Sequence, residues 1–174
     1  MNASTEHRAA RGLAIARIAV GGWFLKTMIT KLSWSVIAVL PVPTASSRWV
    51  GFLPARLAEY ASTNPIPWYH AFLLNVAIPH SELFAWLTAF GEAAVGIGLV
   101  LGLFTEVASG VGLLLGTSYG LATFQLGQCQ QGFHMILLGS MAAFIVGRAG
   151  RTWGLDGWLA DRSRFTRQLA ELRV

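Results

Sequence analysis

The chain has a single cysteine in 174 residues, Cys129, which excludes an internal disulfide and any cysteine-rich metal cluster. Histidine is nearly as scarce. No pair among His7, His70, His80 and His134 has the spacing of a metal motif, and no heme or flavin motif is visible. Charge is thin, at 12% of residues against 54% hydrophobic, with a mean hydropathy of +0.54. That balance excludes an ordinary soluble domain and describes a membrane protein. No linker or low-complexity tract divides the sequence, so residues 1–174 read as one integral membrane domain. The net charge of +5 does not point to nucleic acid, because six of the thirteen basic residues follow Gly147, where they resemble a membrane-flanking tail. Nor are there matched halves with broken helices, as a transporter built from inverted repeats would show.

What is present is a set of apolar runs long enough to cross the ~30 Å of bilayer hydrocarbon, at about 13–34, 82–103, 106–126 and 131–147. Short connections join the last three. The sequence therefore predicts an all-α protein, a four-helix transmembrane bundle with up-down topology. An even number of spans leaves both termini on one side. Arg8, Arg11 and the basic tail 148–174 assign that side to the cytoplasm, in a multi-pass plasma-membrane protein surrounded by lipid. The first run is too long and too charged for a signal-peptide core and is read as retained. Trp34, Trp49 and Trp68 would mark the outer interface, and Trp153 and Trp158 the inner one.

The one long connection, 41–80, falls outside in this topology. Its stretches from Pro54 and from Pro67 to Ile78 read as short helices begun by proline, the second stopped by Pro79. They form either a half-immersed cap over the outer mouth or a helix lying flat in the interface. Gly112, Gly116 and Gly120, echoed by Gly98 and Gly102, allow close helix contact, within the chain or in a homo-oligomer.

The buried polar groups carry the functional signal. Arg17 and Lys31 are fourteen residues apart, about four helical turns, so they share a face with Gly21, Phe24 and Met28. Glu92 falls near the bilayer midplane and needs a cation or a proton. Arg17 is the favoured partner, with Lys26 as the alternative. The pair either fixes helix register or borders a redox ligand and relays protons. A second group gathers at the outer end: Lys31, His80, Glu82, Gln125, Gln128, Gln131 and His134. There Lys31 and His80 can attract an anion or donate to a quinone carbonyl, and Glu82 or His134 can carry protons. The candidate catalytic residues are thus Glu92, His80 and His134, and the candidate substrate or quinone ligands are Arg17, Lys31, Glu82 and Gln131. Asp156, in the glycine-rich segment after the fourth run, is available to cap a following helix or to pair with Arg148.

Arg17, Gly21, Phe24, Lys31-Leu32, Glu92, Gly102-Leu103-Phe104-Thr105, Gly150, Gly154 and Leu155-Asp156 together resemble the DoxX/DoxD family of four-helix membrane proteins. The segment Asn64-Pro65, Trp68-Tyr69, Leu73 and Pro79-His80 is more similar to the DoxD branch, linked to thiosulfate:quinone oxidoreductase. The resemblance implies a membrane subunit that passes electrons from thiosulfate or a related small reductant to quinone, beside a separate DoxA-type subunit. The chain departs from the pattern in having no DoxA-like region and in placing Glu106 where many relatives have a basic residue. The alternative function is a non-catalytic membrane anchor or assembly factor for a partner redox enzyme or membrane protein.

Overall fold

The structure, a computed structural model, describes residues 3–37 and 40–162. It is mostly helical. Helix α1 runs over Ala3–Lys31, α2 over Ser47–Ser62, α3 over Pro67–Phe72, α4 over Ser81–Leu101, α5 over Thr105–Ala122 and α6 over Gln128–Val146. The all-α expectation needs one correction: strands β1 (Leu32–Ile37) and β2 (Leu40–Ala45) form an antiparallel hairpin directly after α1. The first apolar run thus ends as a helix at Lys31, not at Trp34. Residues 155–162 are helical, and the rest of the basic tail, with Arg164, Arg167 and Arg173, lies outside the described residues.

Among the described residues, three helices are long and apolar enough to cross a bilayer: Ser4–Lys31, Ser81–Leu101 and Gln128–Val146. This is a membrane protein. The run expected at 106–126 does form α5, but with Glu106, Ser109, Thr117, Ser118 and four glycines in its 18 residues it is not among these three. The outward faces of α1, α5 and α6 expose Ile29, Leu114 and Ile136, as lipid contact requires.

Helix α1 packs along α4, α4 along α5, α5 along α6, and α6 returns to α1. Small residues set these contacts. A Cβ on Gly21 would sit 2.8 Å from the Val100 backbone nitrogen, and one on Gly96 would sit 2.9 Å from that of Leu25. Gly112, Gly116 and Gly120 face Met141, Leu137 and Leu138, and His134 respectively. The glycine ladder of α5 is therefore spent on α6 within one chain. Phe24, Val95, Leu99, Leu137, Met141 and Phe144 fill the space between. Dispersion and close backbone approach hold such a core, since lipid is as apolar as leucine.

The long connection packs onto the α4–α5 end as a second core of Ala61, Tyr69, Leu73, Ala77 and Ala122. Helix α2 starts at Ser47, not at Pro54: the Ser46 side chain accepts from the Trp49 amide (3.2 Å), and Pro54 lies inside the helix. Pro67 does open α3, which passes into one π-helical turn over Leu73–Ala77 just before Pro79. Tyr69 donates to the Ser118 carbonyl (2.7 Å) and Asn64 to that of Leu121 (2.9 Å), fastening the connection to α5.

Candidate functional site

The glycine contacts fix the register between α1 and α4. Gly21 lies against Val100 and Leu25 against Gly96, so an antiparallel pair reaches Lys31 opposite about residue 90 and Arg17 opposite about residue 104. Lys31, and not Arg17, is the partner of Glu92. Its ammonium lies 2.7 Å from both carboxylate oxygens, and the Tyr119 hydroxyl donates to Oε1 at 2.6 Å. Glu92 is almost fully buried. The third side of the ammonium faces the Trp49 ring, 4.2 Å from its centroid, and the Trp49 indole N–H donates to the Ala85 carbonyl at 3.2 Å. Cation, carboxylate, phenol and aromatic face thus come from α1, α4, α5 and α2.

Arg17 sits about twelve residues along α4 from Glu92, some 18 Å at helical rise, with its Nε and Nη1 buried and without a hydrogen-bond partner among the described residues. It is fully buried and donates to the Trp153 carbonyl (3.0 Å), beside the charge of Asp156. Gly102 and Gly154 approach the guanidinium so closely that neither has space for a side chain. Asp156 does not cap the helix that follows it. Its two oxygens accept from the amides of Phe104 (2.7 Å) and Thr105 (2.9 Å), closing the N-terminus of α5. Lys26, the alternative partner of Glu92, lies over the Trp23 ring at 5.3 Å.

The expected outer cluster is dispersed. His80 is exposed and bonded to the Val76 carbonyl, Glu82 is exposed, and Gln131 holds the α5–α6 turn by donating to the Phe124 carbonyl (2.9 Å). Helix ends at similar heights do not converge unless their side chains point inward, and these three point out or along the chain. Lys31 and His134 are the exceptions. His134 is buried, with Nε2 3.1 Å from Thr123 Oγ1 and 3.2 Å from the Gln130 carboxamide nitrogen. Thr123 gives its own hydroxyl proton to the Tyr119 carbonyl (2.8 Å), and Nδ1 of His134 has no hydrogen-bond partner among the described residues.

Lys31, Glu92, Tyr119, Thr123, Gln130 and His134 all line one cavity of about 1070 Å³ between α4, α5 and the α2–α3 connection. The remaining wall is largely apolar and aromatic, including Trp23, Phe52, Tyr69, Phe72, Phe84 and Phe90. Burial pushes the Tyr69 phenol up to about 12. The volume is at the upper end for small-molecule sites, which combine apolar walls with a few convergent polar groups. Such a cavity offers a mostly apolar guest a few polar contacts, from the ion pair, the phenol and the imidazole.

Sequence reasoning missed Tyr119, Trp49 and Thr123. Tyr119 stands one position before Gly120 in α5, and a lone phenol there was a usable signal. Trp49 reads as an interface marker, and only the tertiary fold turns its ring onto Lys31.

Fold and cavity together define a helical membrane protein with a polar, ion-paired site set in an amphipathic chamber. Residues 13–171 match the family model described as "TQO small subunit DoxD", and the chain belongs to the DoxD family. No curated protein and no solved structure matches it.

Proposed function

We propose that this chain is the membrane subunit of a quinone-linked oxidoreductase and that its cavity receives the quinone. The observation carrying this reading is the Lys31–Glu92–Tyr119 cluster at the wall of a chamber of about 1070 Å³ lined with aromatic side chains. Quinone reduction takes up two electrons and two protons. One quinone carbonyl would take its proton from Tyr119 or Lys31 and the other from His134, with Glu92, unprotonated in its ion pair, passing replacement protons inward from water. The electrons come from thiosulfate or a related small reductant, by way of a partner subunit, in keeping with the family's description. The nearby arginines do not compete for this role: Arg56, which lines the chamber, pairs with Glu59 at 2.6 Å, and Arg17 is held at the opposite end of the bundle.

In this reading α1, α4, α5 and α6 all cross the membrane as an up-down bundle. The start of α1 and the end of α6 meet where Leu13 packs on Gly147, which gathers Arg8, Arg11, Arg148 and Arg151 at one end. That end faces the cytoplasm of the plasma membrane. The cavity and the α2–α3 cap then open toward the outer leaflet.

The test is a complex purified from native membranes with its partners retained. A photoreactive quinone analogue should label cavity residues, and thiosulfate should drive quinone reduction that Glu92→Gln abolishes while the complex stays assembled. Labelling confined to other surfaces sinks the quinone site. Full turnover by Glu92→Gln and Tyr119→Phe complexes would instead make the chain an anchor for a partner redox enzyme.

A further inference from the structure

The β1–β2 hairpin is amphipathic, and the function above makes no use of it. Directly opposed residues share a face of an antiparallel pair. The register Leu32↔Ala45, Trp34↔Pro43 and Val36↔Pro41 therefore gives one face made only of apolar residues. The other face carries Ser33, Ser35 and Thr44 near the base, whose hydroxyls bond to one another at 3.1 Å, and Val42 and Leu40 farther out. Ala45 at the base of the apolar face is buried, but Trp34 is 73% exposed and Val36 74%, so no part of the described chain covers the outer part of that face. Residues 32–45 contain no charged side chain.

Two features single out the occupant of that face. The hairpin's base is pinned to the end of α1: the Ser46 amide donates to the Lys31 carbonyl (2.8 Å) and the Ser46 hydroxyl to that of Thr30 (3.2 Å). Because α1 is an apolar span ending at Lys31, the hairpin leaves it at a membrane boundary. The second feature is Pro41 and Pro43. Having no N–H, they cannot donate to β1, so these positions turn toward the free edge of β2 and strip it of donors. A protein strand adding to this edge would find few hydrogen bonds, whereas hydrocarbon penalises every unpaired donor and favours their removal.

The geometry points to a lipid anchor: the face of Trp34, Val36, Pro41 and Pro43 seats in the leaflet at which α1 ends, with the Ser33–Thr44–Ser35 hydroxyls toward the headgroups. The inference rests on α1 spanning the membrane and needs no assumption about turnover. It is tested on the full chain in phosphatidylcholine–phosphatidylglycerol vesicles, in a Cys129→Ser background that removes the exposed native thiol. Val36→Cys and Ser35→Cys variants each carry an environment-sensitive nitrobenzoxadiazole label. The label at 36 should be blue-shifted, quenched by lipids bearing acyl-chain nitroxides and shielded from iodide, and the label at 35 quenched more by headgroup nitroxides and iodide. Equal iodide quenching at both positions overturns the proposal. So does shielding from both quenchers that appears only when a partner protein co-purifies, which would make this face a protein interface. Circular dichroism of each labelled chain checks that the helices are intact, and both labels sit on exposed residues.

Discussion

Arg17 and Lys31 lie on one helix, fourteen residues apart, and both are withdrawn from solvent, yet their surroundings differ in kind. Arg17 is enclosed by backbone: the Trp153 carbonyl, the glycines at 102 and 154, and the nearby charge of Asp156. Lys31 is met by side chains, the Glu92 carboxylate and the Trp49 ring, on the wall of a large cavity. A cation held by backbone in a glycine-tight pocket has no exchangeable partner and no access for a ligand. One held by a carboxylate that also accepts from a phenol has both. The comparison separates a fastening from a site on one helical stripe.

The largest effect is expected where the fastening has no slack. Gly102→Val places a Cβ on the Arg17 guanidinium and 2.6 Å from the Gly154 Cα, at a backbone position with φ of 61°. Destabilisation of about 3 kcal/mol or more should follow, seen as loss of monodisperse protein on size exclusion in detergent. At the other cation, Lys31→Met or Glu92→Gln alone leaves an uncompensated buried group, for a loss of about 3–5 kcal/mol. The Lys31→Met/Glu92→Gln pair should regain most of that stability in a thermal-shift assay without regaining quinone reduction. Recovery of both by the double variant would make the ion pair structural, like Arg17, and erase the contrast.

Tyr119→Phe removes one hydrogen bond to Glu92 and should cost about 1–2 kcal/mol. Quinone reduction should slow by ~10²-fold if the phenol delivers a proton. Asp156→Asn weakens the α5 cap by about 1 kcal/mol and should leave turnover unchanged. A drop in turnover without loss of fold would show that the inner end also takes part in the chemistry.

The smallest effect lies outside neutral pH. The Tyr69 phenol titrates at about 12 in the folded chain, above the ~10 of a free phenol. The folded state holds that proton more tightly, so this contribution to stability is complete below pH ~10 and is lost as pH rises through 12. Absorbance at 295 nm, compared between the parent chain and Tyr69→Phe, should show the difference only in that alkaline window.

Helix positions were legible because hydropathy alone sets them: runs expected at 82–103 and 131–147 formed helices over Ser81–Leu101 and Gln128–Val146. The Glu92 position as a buried carboxylate was legible for the same reason. Its partner was not. Aligning α1 and α4 by the ends of their apolar runs misplaces them by more than a turn, since the contacts of Gly21 and Gly96 fix the register and these depend on three-dimensional packing. The hairpin hid in a similar way. Leu32-Ser-Trp-Ser-Val36 alternates with period two, the mark of a strand, but it adjoins an apolar helix whose run swallowed it. His80, Glu82 and Gln131 shared an expected height with His134, and height says nothing about which way a side chain points.

Asp156 has one more consequence. It lies beyond α6 in sequence yet completes the first turn of α5, a helix made fifty residues earlier. Without the segment after the final long helix, those two amides have no carboxylate to bond. The Arg17 end of the molecule is therefore clasped by residues that follow α6, and a chain interrupted before residue 156 would hold every long helix while leaving that end undone.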